Sequence, residues 1–224
     1  MNYRRIVPNS ISSLSLVLGI VSIFESIAGN FTTAAILIIL AVVADSLDGR
    51  AARLLGVSGE FGKELDSLCD VCSFGVAPAI MIYLYALQDL GLTGQVLAAC
   101  FTIGGAMRLA RFNINTSSVK GYFQGMPIPA GACCLATYVL SGYSWGAIEV
   151  AALTLAIALI MYSNVKYPDF KGKGNPMHML PVVVALALGG FMLLQRFEAW
   201  PFIAMFTYTF AGVINSLYVL VMGK

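Results

Sequence analysis

The sequence has few charged residues for its length. Charged side chains make up 11% of its 224 residues and hydrophobic side chains 59%, whereas a soluble domain has about 25% charged residues. The mean hydropathy is +0.85. These values exclude an ordinary soluble domain. We expect a polytopic membrane protein with a single integral membrane domain over residues 1–224, whose partners include membrane lipids and no nucleic acid.

Several common functional motifs are also missing. The sequence has one histidine, His178, so a histidine-based metal site is not expected. A Walker-type Gly-x-x-x-x-Gly-Lys motif is absent, which argues against a P-loop. Cys69 and Cys72 have the spacing of a redox or zinc pair, but no second pair matches them. All five cysteines lie in apolar stretches, and we interpret them as packing residues.

Long apolar runs, by contrast, fill the chain. A membrane-spanning helix needs roughly 20 mainly apolar residues. The first run lacks an A-x-A-like cleavage site, so we expect it to remain as a helix. The fold class expected is an all-α polytopic membrane helix bundle of about eight transmembrane helices. The predicted spans are Ile11–Ala28, Thr32–Arg53, Asp66–Leu87, Gly94–Phe112, Pro127–Ser141, Ala147–Ser163, Met179–Leu194 and Pro201–Met222.

Basic residues are distributed unevenly between the two sides predicted by these spans. One side has twelve of the 13 lysines and arginines, and the other has only Arg196. Because basic loops stay on the cytoplasmic side, we predict a multi-pass protein of the cell membrane with both termini in the cytoplasm. The twelve residues are Arg4, Arg5, Arg50, Arg53, Lys63, Arg108, Arg111, Lys120, Lys166, Lys171, Lys173 and Lys224.

Four aspartates stand between two apolar segments that would normally exclude carboxylates. Asp45 and Asp48 are spaced i, i+3 on the second predicted helix, and Asp66 and Asp70 are spaced i, i+4 on the third. Each pair therefore shares a helix face, and the glycine-rich connection can bring the two faces together. Four like charges repel strongly, and two divalent cations would neutralise them. Oxygen ligands favour magnesium, manganese or calcium over zinc.

A simpler interpretation is that these carboxylates are solvated at helix ends. They would then pair with Arg50, Arg53 and Lys63. Two same-face pairs joined by a glycine-rich turn are harder to explain in this way.

The neighbouring residues favour a phosphate-bearing ligand. Gly49 follows Asp48 directly and leaves room for a bulky group against the backbone, and Gly59 and Gly62 give the loop similar access. Arg53 lies about one helical turn beyond Gly49 and can make a bidentate contact with phosphate. Two cations, an arginine and these glycines together indicate a diphosphate ligand and a displacement at phosphorus.

The aspartates belong to one continuous pattern: Asp45-x-x-Asp48-Gly49-x-x-Ala52-Arg53, eight residues, then Gly62-x-x-x-Asp66-x-x-x-Asp70. This pattern resembles the complete signature of the CDP-alcohol phosphatidyltransferase family, which joins a CDP-linked lipid to an alcohol and releases CMP with divalent metal. Four further stretches resemble the branch that uses serine: "LDSLCDVCSFGVAPA", "MRLARFNI", "FQGMPIPAGA" and "SNVKYPDF". The resemblance covers roughly the first 170 residues, including "PNSISSLSLVLG".

The resemblance implies a role for each matching residue. Asp45, Asp48 and Asp66 would hold one metal ion, and Asp45, Asp66 and Asp70 a second. Asp70 would also be the general base. The implied contacts to the CDP-lipid are Pro8, Asn9, Ser12, Gly49, Arg53, Gly59 and Gly62. The resemblance further implies a six-helix core in residues 1–170, two additional helices in residues 171–224, and a homodimer, for which the residues themselves show no pattern.

The acceptor implied by the resemblance is L-serine, with CDP-diacylglycerol as the phosphatidyl donor. Arg108 and Arg111 are spaced i, i+3 near the end of the fourth predicted helix. They could bind the serine carboxylate or a lipid phosphate, and Asn113, Lys120 and Lys166 are further candidates. One alternative is a sister transferase acting on glycerol 3-phosphate or inositol phosphate. Another is a divalent-cation transporter, because intramembrane acids often mark ion paths.

Overall fold

The computed structural model describes residues 6–57, 59–115, 122–168 and 178–222. Within these residues the chain forms eight helices, and the predicted all-α membrane bundle is confirmed. Each predicted span corresponds to one helix, although the predicted starts at Ile11 and Asp66 are too late. The helices are α1 (Ile6–Ile27), α2 (Phe31–Leu54), α3 (Glu60–Leu90), α4 (Leu92–Asn115), α5 (Ile128–Leu140), α6 (Ala147–Tyr162), α7 (Met179–Gln195) and α8 (Trp200–Met222).

The helices fall into two length classes. By length and composition, α1, α2, α3, α4 and α8 could each cross a membrane. The apolar helices α5, α6 and α7 have 13, 16 and 17 residues. At about 1.5 Å per residue they are shorter than the roughly 30 Å hydrocarbon core. Most side chains of α5 are buried within the protein.

Helix α5 lies at the centre of the bundle. It packs against α2, α3, α6 and α8, while α1 packs along α2, α4 along α6, and α7 along α8. The outer helix faces expose large apolar side chains such as Val17, Phe24 and Leu186. Such faces suit contact with lipid, because a bilayer solvates apolar side chains that water would not.

Helix α3 is not regular. An α-helical segment, Glu60–Asp70, is followed by a π-helical segment, Val71–Val76, and then by an α-helical segment, Ala77–Ile82. Single π turns inside α-helices are frequent at functional sites. Helix α1 approaches this π-helical segment very closely, because a Cβ atom on Gly19 would lie 2.7 Å from the Cα atom of Ser73. The Ser73 hydroxyl also donates a hydrogen bond of 3.0 Å to the Ser15 carbonyl.

A small two-stranded antiparallel sheet, not predicted from the sequence, joins the connection between α4 and α5 to the connection between α6 and α7. Strand β1 (Tyr122–Gln124) pairs with β2 (Lys166–Pro168), with Phe123 opposite Tyr167. Burial raises the pKa of the Tyr167 phenol above its usual range, so the hydroxyl stays protonated. It donates a 2.6 Å hydrogen bond to the carbonyl of Thr209 in α8. This small sheet is therefore held against the last helix.

Candidate functional site

Helices α2 and α3 together position the aspartate cluster. Helix α2 continues without a break to Leu54, the chain turns through Gly56 at φ +63°, and α3 begins at Glu60. Asp45, Asp48 and Asp66 each offer a carboxylate oxygen, and these oxygens lie within 4.8 Å of one another. The convergence predicted from the same-face spacing is thus present for these three side chains.

Asp70 is the innermost member of the group. Its side chain is 7% exposed, and its carboxyl group lies within hydrogen-bond reach of Asp45. Its Oδ1 atom is buried and has no hydrogen-bond partner. Burying a carboxylate is costly unless it is paired or coordinates a metal. Clustered oxygen ligands and a buried oxygen without a partner therefore fit divalent cations such as magnesium or manganese.

Helix α1 adds a hydroxyl to the cluster. The Oγ atom of Ser12 donates a 2.5 Å hydrogen bond to Oδ2 of Asp48. Both side chains are buried, at 5% and 6% exposure. Because the bond fixes one oxygen of Asp48, it also fixes the direction in which the other oxygen can act as a ligand.

A cleft of ≈ 250 Å³ opens beside the aspartates. All seven residues expected to contact the CDP-lipid line it, so the structure brings them together on one surface. The lining residues are Pro8, Asn9, Ser12, Asp48, Gly49, Ala52, Arg53, Val57, Gly59, Gly62, Lys63 and Asp66.

Two glycines keep this cleft open. The atom nearest to a Cβ added at Gly49 would be a guanidinium nitrogen of Arg53 at 3.5 Å. At Gly62 it would be the side-chain oxygen of Asn9 at 3.6 Å. Both distances are ordinary contacts with residues of the cleft. The helices themselves therefore do not require glycine at these positions, and the space that the missing side chains leave is space for a ligand.

The two candidate arginines of α4 have different surroundings. The guanidinium group of Arg111 donates hydrogen bonds of 2.7 to 3.3 Å to four acceptors of the protein. It thereby joins α4 to the end of α6 and to β1. The acceptors are the carbonyls of Gln124, Tyr162 and Ser163 and the side-chain oxygen of Asn164. These bonds favour a structural role for Arg111.

Arg108 is more deeply buried, at 5% exposure. Its guanidinium carbon lies 5.5 Å from the centre of the Phe112 ring and 5.9 Å from that of Phe123. Its Nε atom has no hydrogen-bond partner. Arg108 is therefore a buried cation whose hydrogen-bonding capacity the surrounding protein does not fully use.

The remaining candidates are dispersed. The side chain of Asn113 donates a 2.8 Å hydrogen bond to Ser67, and its carbonyl accepts one of 3.0 Å from Lys63, so Asn113 lies beside the cleft. Lys166 is exposed on β2. Lys120 lies outside the described residues.

Comparison with known proteins shows a match over most of the chain. Residues 5–187 match the family described as CDP-alcohol phosphatidyltransferase. The chain belongs to the CDP-alcohol phosphatidyltransferase family. The family suggested by the aspartate pattern is thereby confirmed, and the match extends from α1 into α7.

Three curated relatives align with most of this chain. The chain is 36% identical to the CDP-diacylglycerol–serine O-phosphatidyltransferase of Helicobacter pylori over 222 residues, which cover 96% of this chain and 92% of the relative. It is 40% identical to the archaetidylserine synthase of Methanothermobacter thermautotrophicus over 170 residues, 75% and 71% of the two chains. It is 34% identical to the CDP-diacylglycerol–serine O-phosphatidyltransferase of Bacillus subtilis over 171 residues, 76% and 93%.

Sequence reasoning did not identify every residue at the site of this CDP-alcohol phosphatidyltransferase. Val57 and Lys63 both line the cleft, and the sequence pattern points to Lys63 only as an ion-pair partner of the aspartates. Tyr208 in α8 interacts electrostatically with Arg108, yet α8 lies beyond the matched residues. A single tyrosine in an apolar run carries no signal that separates a site residue from a packing residue.

Proposed function

We propose that this protein transfers the phosphatidyl group of CDP-diacylglycerol to the hydroxyl of L-serine, giving phosphatidylserine and CMP. The observation that carries this proposal is the aspartate cluster at the edge of a cleft lined by all seven expected CDP-lipid contacts. Serine is favoured as the acceptor because the relatives from Helicobacter pylori and Bacillus subtilis carry it in their names.

The cleft suits a diphosphate. Arg53 and Lys63 supply positive charge on its wall, and Gly49 and Gly62 let the ligand approach the backbone. An arginine can bind two phosphate oxygens at once. The acyl chains would remain in the bilayer along the outer faces of the helices, while the nucleotide would enter the cleft from the cytoplasm.

The four aspartates would hold two divalent cations, magnesium or manganese, with calcium as a third candidate. Asp45, Asp48 and Asp66 would bind one ion, and Asp45, Asp66 and Asp70 the other. Bound cations would neutralise the clustered carboxylates and stabilise negative charge on the attacking and leaving oxygens.

Asp70 is proposed as the general base. A serine hydroxyl is a poor nucleophile at neutral pH, and a carboxylate that accepts its proton accelerates attack. As the proton passes to Asp70, the serine oxygen forms a bond to the β-phosphorus, and the bond from that phosphorus to the CMP oxygen breaks. Arg53 can stabilise the charge that develops on CMP. The buried Oδ1 of Asp70, which has no protein partner, supports this assignment.

Location and assembly complete the proposal. The predicted excess of basic residues on one side supports a cytoplasmic position for both termini and for the cleft. The family resemblance supports a homodimer in the cell membrane.

A CMP-release assay tests the proposed activity. Purified full-length protein in detergent micelles would receive CDP-diacylglycerol, a divalent cation and one acceptor: L-serine, glycerol 3-phosphate or inositol phosphate. Of the three acceptors, we expect only L-serine to give CMP release. EDTA should abolish this release, and excess magnesium or manganese should restore it. Turnover with another acceptor but not with serine would contradict the choice of acceptor. Metal uptake into proteoliposomes without any CMP release would favour the transporter.

A further inference from the structure

Helix α1 buries a serine hydroxyl that no protein group satisfies. Ser15 is 1% exposed, and its Oγ atom has no hydrogen-bond partner in the described part of the chain. A serine inside a helix often donates to the carbonyl four residues earlier, as Ser13 does to Asn9 and Ser26 does to Ser22, both at 2.8 Å. The Ser15 hydroxyl makes no such bond. A buried polar atom of this kind requires another partner, such as an ion.

Helix α2 presents Asp45 at the level of this hydroxyl. Two side-chain hydrogen bonds between α1 and α2 fix the register of these helices. They run from Ser12 to Asp48, at 2.5 Å, and from Ser22 to the carbonyl of Ala34, at 2.9 Å. The helices are therefore antiparallel, and residue 15 of α1 is level with residues 43–45 of α2. Because Ser15 follows Ser12 by three residues, it shares the helix face that contacts the aspartates.

Helix α3 presents Asp70 at the same level. Two contacts show that α1 and α3 run parallel. They are the approach of the Asn9 side chain to Gly62 and the 3.0 Å hydrogen bond from Ser73 to the carbonyl of Ser15. Asp70, which precedes Ser73 by about one turn, is therefore level with residues 13–15 of α1. Side chains lean toward the N-terminus of a helix, so the side chains of Ser15 and Asp70 lean in the same direction.

Two buried oxygens without a protein partner therefore lie at one level, on α1 and on α3. The second is Oδ1 of Asp70, whose carboxyl group is within hydrogen-bond reach of Asp45. Serine hydroxyl and carboxylate oxygens are both ligands of magnesium in proteins. Four aspartates carry four negative charges, which two divalent cations balance. A hydroxyl adds a ligand atom without disturbing this balance, whereas a fifth carboxylate would leave a negative charge uncompensated.

We propose that the Ser15 hydroxyl is a neutral ligand of the divalent cation held by Asp45, Asp66 and Asp70. The inference rests on the cation site of the proposed function and adds a ligand from α1 to the ligands from α2 and α3. On α1, Ser12 orients Asp48, while Ser15, one turn further, binds the second ion directly. Cation binding therefore holds the three helices together.

Thermal unfolding of the full-length protein in detergent micelles separates this role from packing. In EDTA, Ser15→Ala should unfold at the wild-type temperature or slightly above it, because the change removes a buried hydroxyl without a protein partner. At a fixed Mn²⁺ concentration the wild type should unfold at the higher temperature, because a tighter ligand stabilises the folded state more. A hydroxyl that served packing alone would give the same difference in both conditions.

A Mn²⁺ titration without CDP-diacylglycerol measures the affinity itself, with the free ion detected by electron paramagnetic resonance. We expect the dissociation constant of one bound Mn²⁺ ion to rise about 10- to 100-fold in Ser15→Ala, as is typical when a supporting group of a metal site is removed.

Ser15→Cys tests whether the side chain contacts the ion. A thiolate favours Zn²⁺ over Mn²⁺, so the ratio of Zn²⁺ to Mn²⁺ affinity should rise about tenfold above the wild-type ratio. Ser26→Cys is the matched control, because Ser26 lies on the same helix, is also 1% exposed and bonds the Ser22 carbonyl. It should keep the wild-type ratio. The five native cysteines are common to all these proteins.

The inference is wrong if Ser15→Ala binds Mn²⁺ within about threefold of wild type, or if its unfolding temperature falls equally in EDTA and in Mn²⁺. It is also wrong if Ser15→Cys and Ser26→Cys have the same affinity ratio. A wild-type protein that binds no Mn²⁺ would contradict the cation site and this inference together. One that binds Mn²⁺ but releases no CMP with L-serine would contradict only the proposed activity.

Discussion

At the scale of single residues, three arginines with similar sequence contexts have different surroundings. Arg53 lines the cleft, Arg108 is buried near two aromatic rings, and Arg111 binds protein oxygens. Arg53 belongs to a pattern of fixed spacing around the aspartates, which is why the sequence could point to its place in the cleft. The sequence could not separate Arg108 from Arg111, since helical spacing gives a direction but not the acceptors. Those acceptors come from β1 and from the end of α6, which are distant in sequence.

The residue-scale prediction concerns Asp70. Replacing Asp70 with Asn keeps the size of the side chain but removes the proton acceptor and one charged ligand. We expect CMP release with serine to fall by about 10²- to 10⁴-fold, the usual contribution of a general base. The assay is CMP release at saturating CDP-diacylglycerol, together with thermal unfolding in the same detergent.

The control is Asp89→Asn, the same change at an exposed aspartate of the short 3₁₀ segment Gln88–Leu90. It should retain wild-type turnover. Turnover by Asp70→Asn within about threefold of wild type would remove Asp70 as the base.

At the scale of elements, apolar length predicted eight helices and the structure contains eight in its described residues. The departures have physical causes. The π-helical segment Val71–Val76 forms where α3 meets α1 at Gly19 and Ser73, a tertiary contact that no local pattern encodes. The two strands of the small sheet have three residues each, which is too short for an alternating pattern to be visible.

The element-scale prediction concerns the contact between α1 and α3. In Gly19→Ala the new Cβ atom would lie 2.7 Å from the Ser73 backbone, so the helices must separate. Overpacking of this kind costs about 1–3 kcal/mol. We expect a lower unfolding temperature in detergent. Because α1 carries Ser12, which holds Asp48, we also expect weaker turnover.

Gly190→Ala is the comparison for this variant. A Cβ atom at Gly190 in α7 would meet nothing within 4 Å, so its unfolding temperature should be unchanged or slightly higher, as alanine is the better helix former. Equal unfolding temperatures for the two variants would show that α1 and α3 can move apart without cost.

At the scale of the whole molecule, the sequence predicts orientation from charge alone. Reporter fusions test this prediction. A fluorescent protein that folds only in the cytoplasm, attached after Lys224, should fluoresce, while alkaline phosphatase at the same position should be inactive. Alkaline phosphatase inserted between α5 and α6, after Gly142, should be active. The opposite pattern at both positions would invert the proposed topology and place the cleft outside the cytoplasm.

Composition and apolar runs were sufficient for the membrane class, and one 26-residue pattern was sufficient for the family. The surroundings of Arg108 could not be predicted, because they depend on α8. That helix contributes Tyr208 beside Arg108 and accepts the hydrogen bond from Tyr167. Such contacts depend on which helices are neighbours in the bundle, and an apolar sequence does not determine which helices are neighbours.

The π-helical segment Val71–Val76 of α3 rotates the side-chain faces at one end of the helix about its axis, relative to those at the other end. In a regular α-helix each residue turns the helix by about 100°, so the face that carries Asp66 and Asp70 would fix the face presented by Ala77–Ile82. The wider turn at Val71–Val76 breaks that dependence. Each end can then be oriented for its own neighbours: Asp66 toward Asp45 and Asp48 of α2, and Ala77–Ile82 toward α1, α2, α4 and α5. A single helix thus satisfies two orientational requirements that a uniform helix could meet only by coincidence.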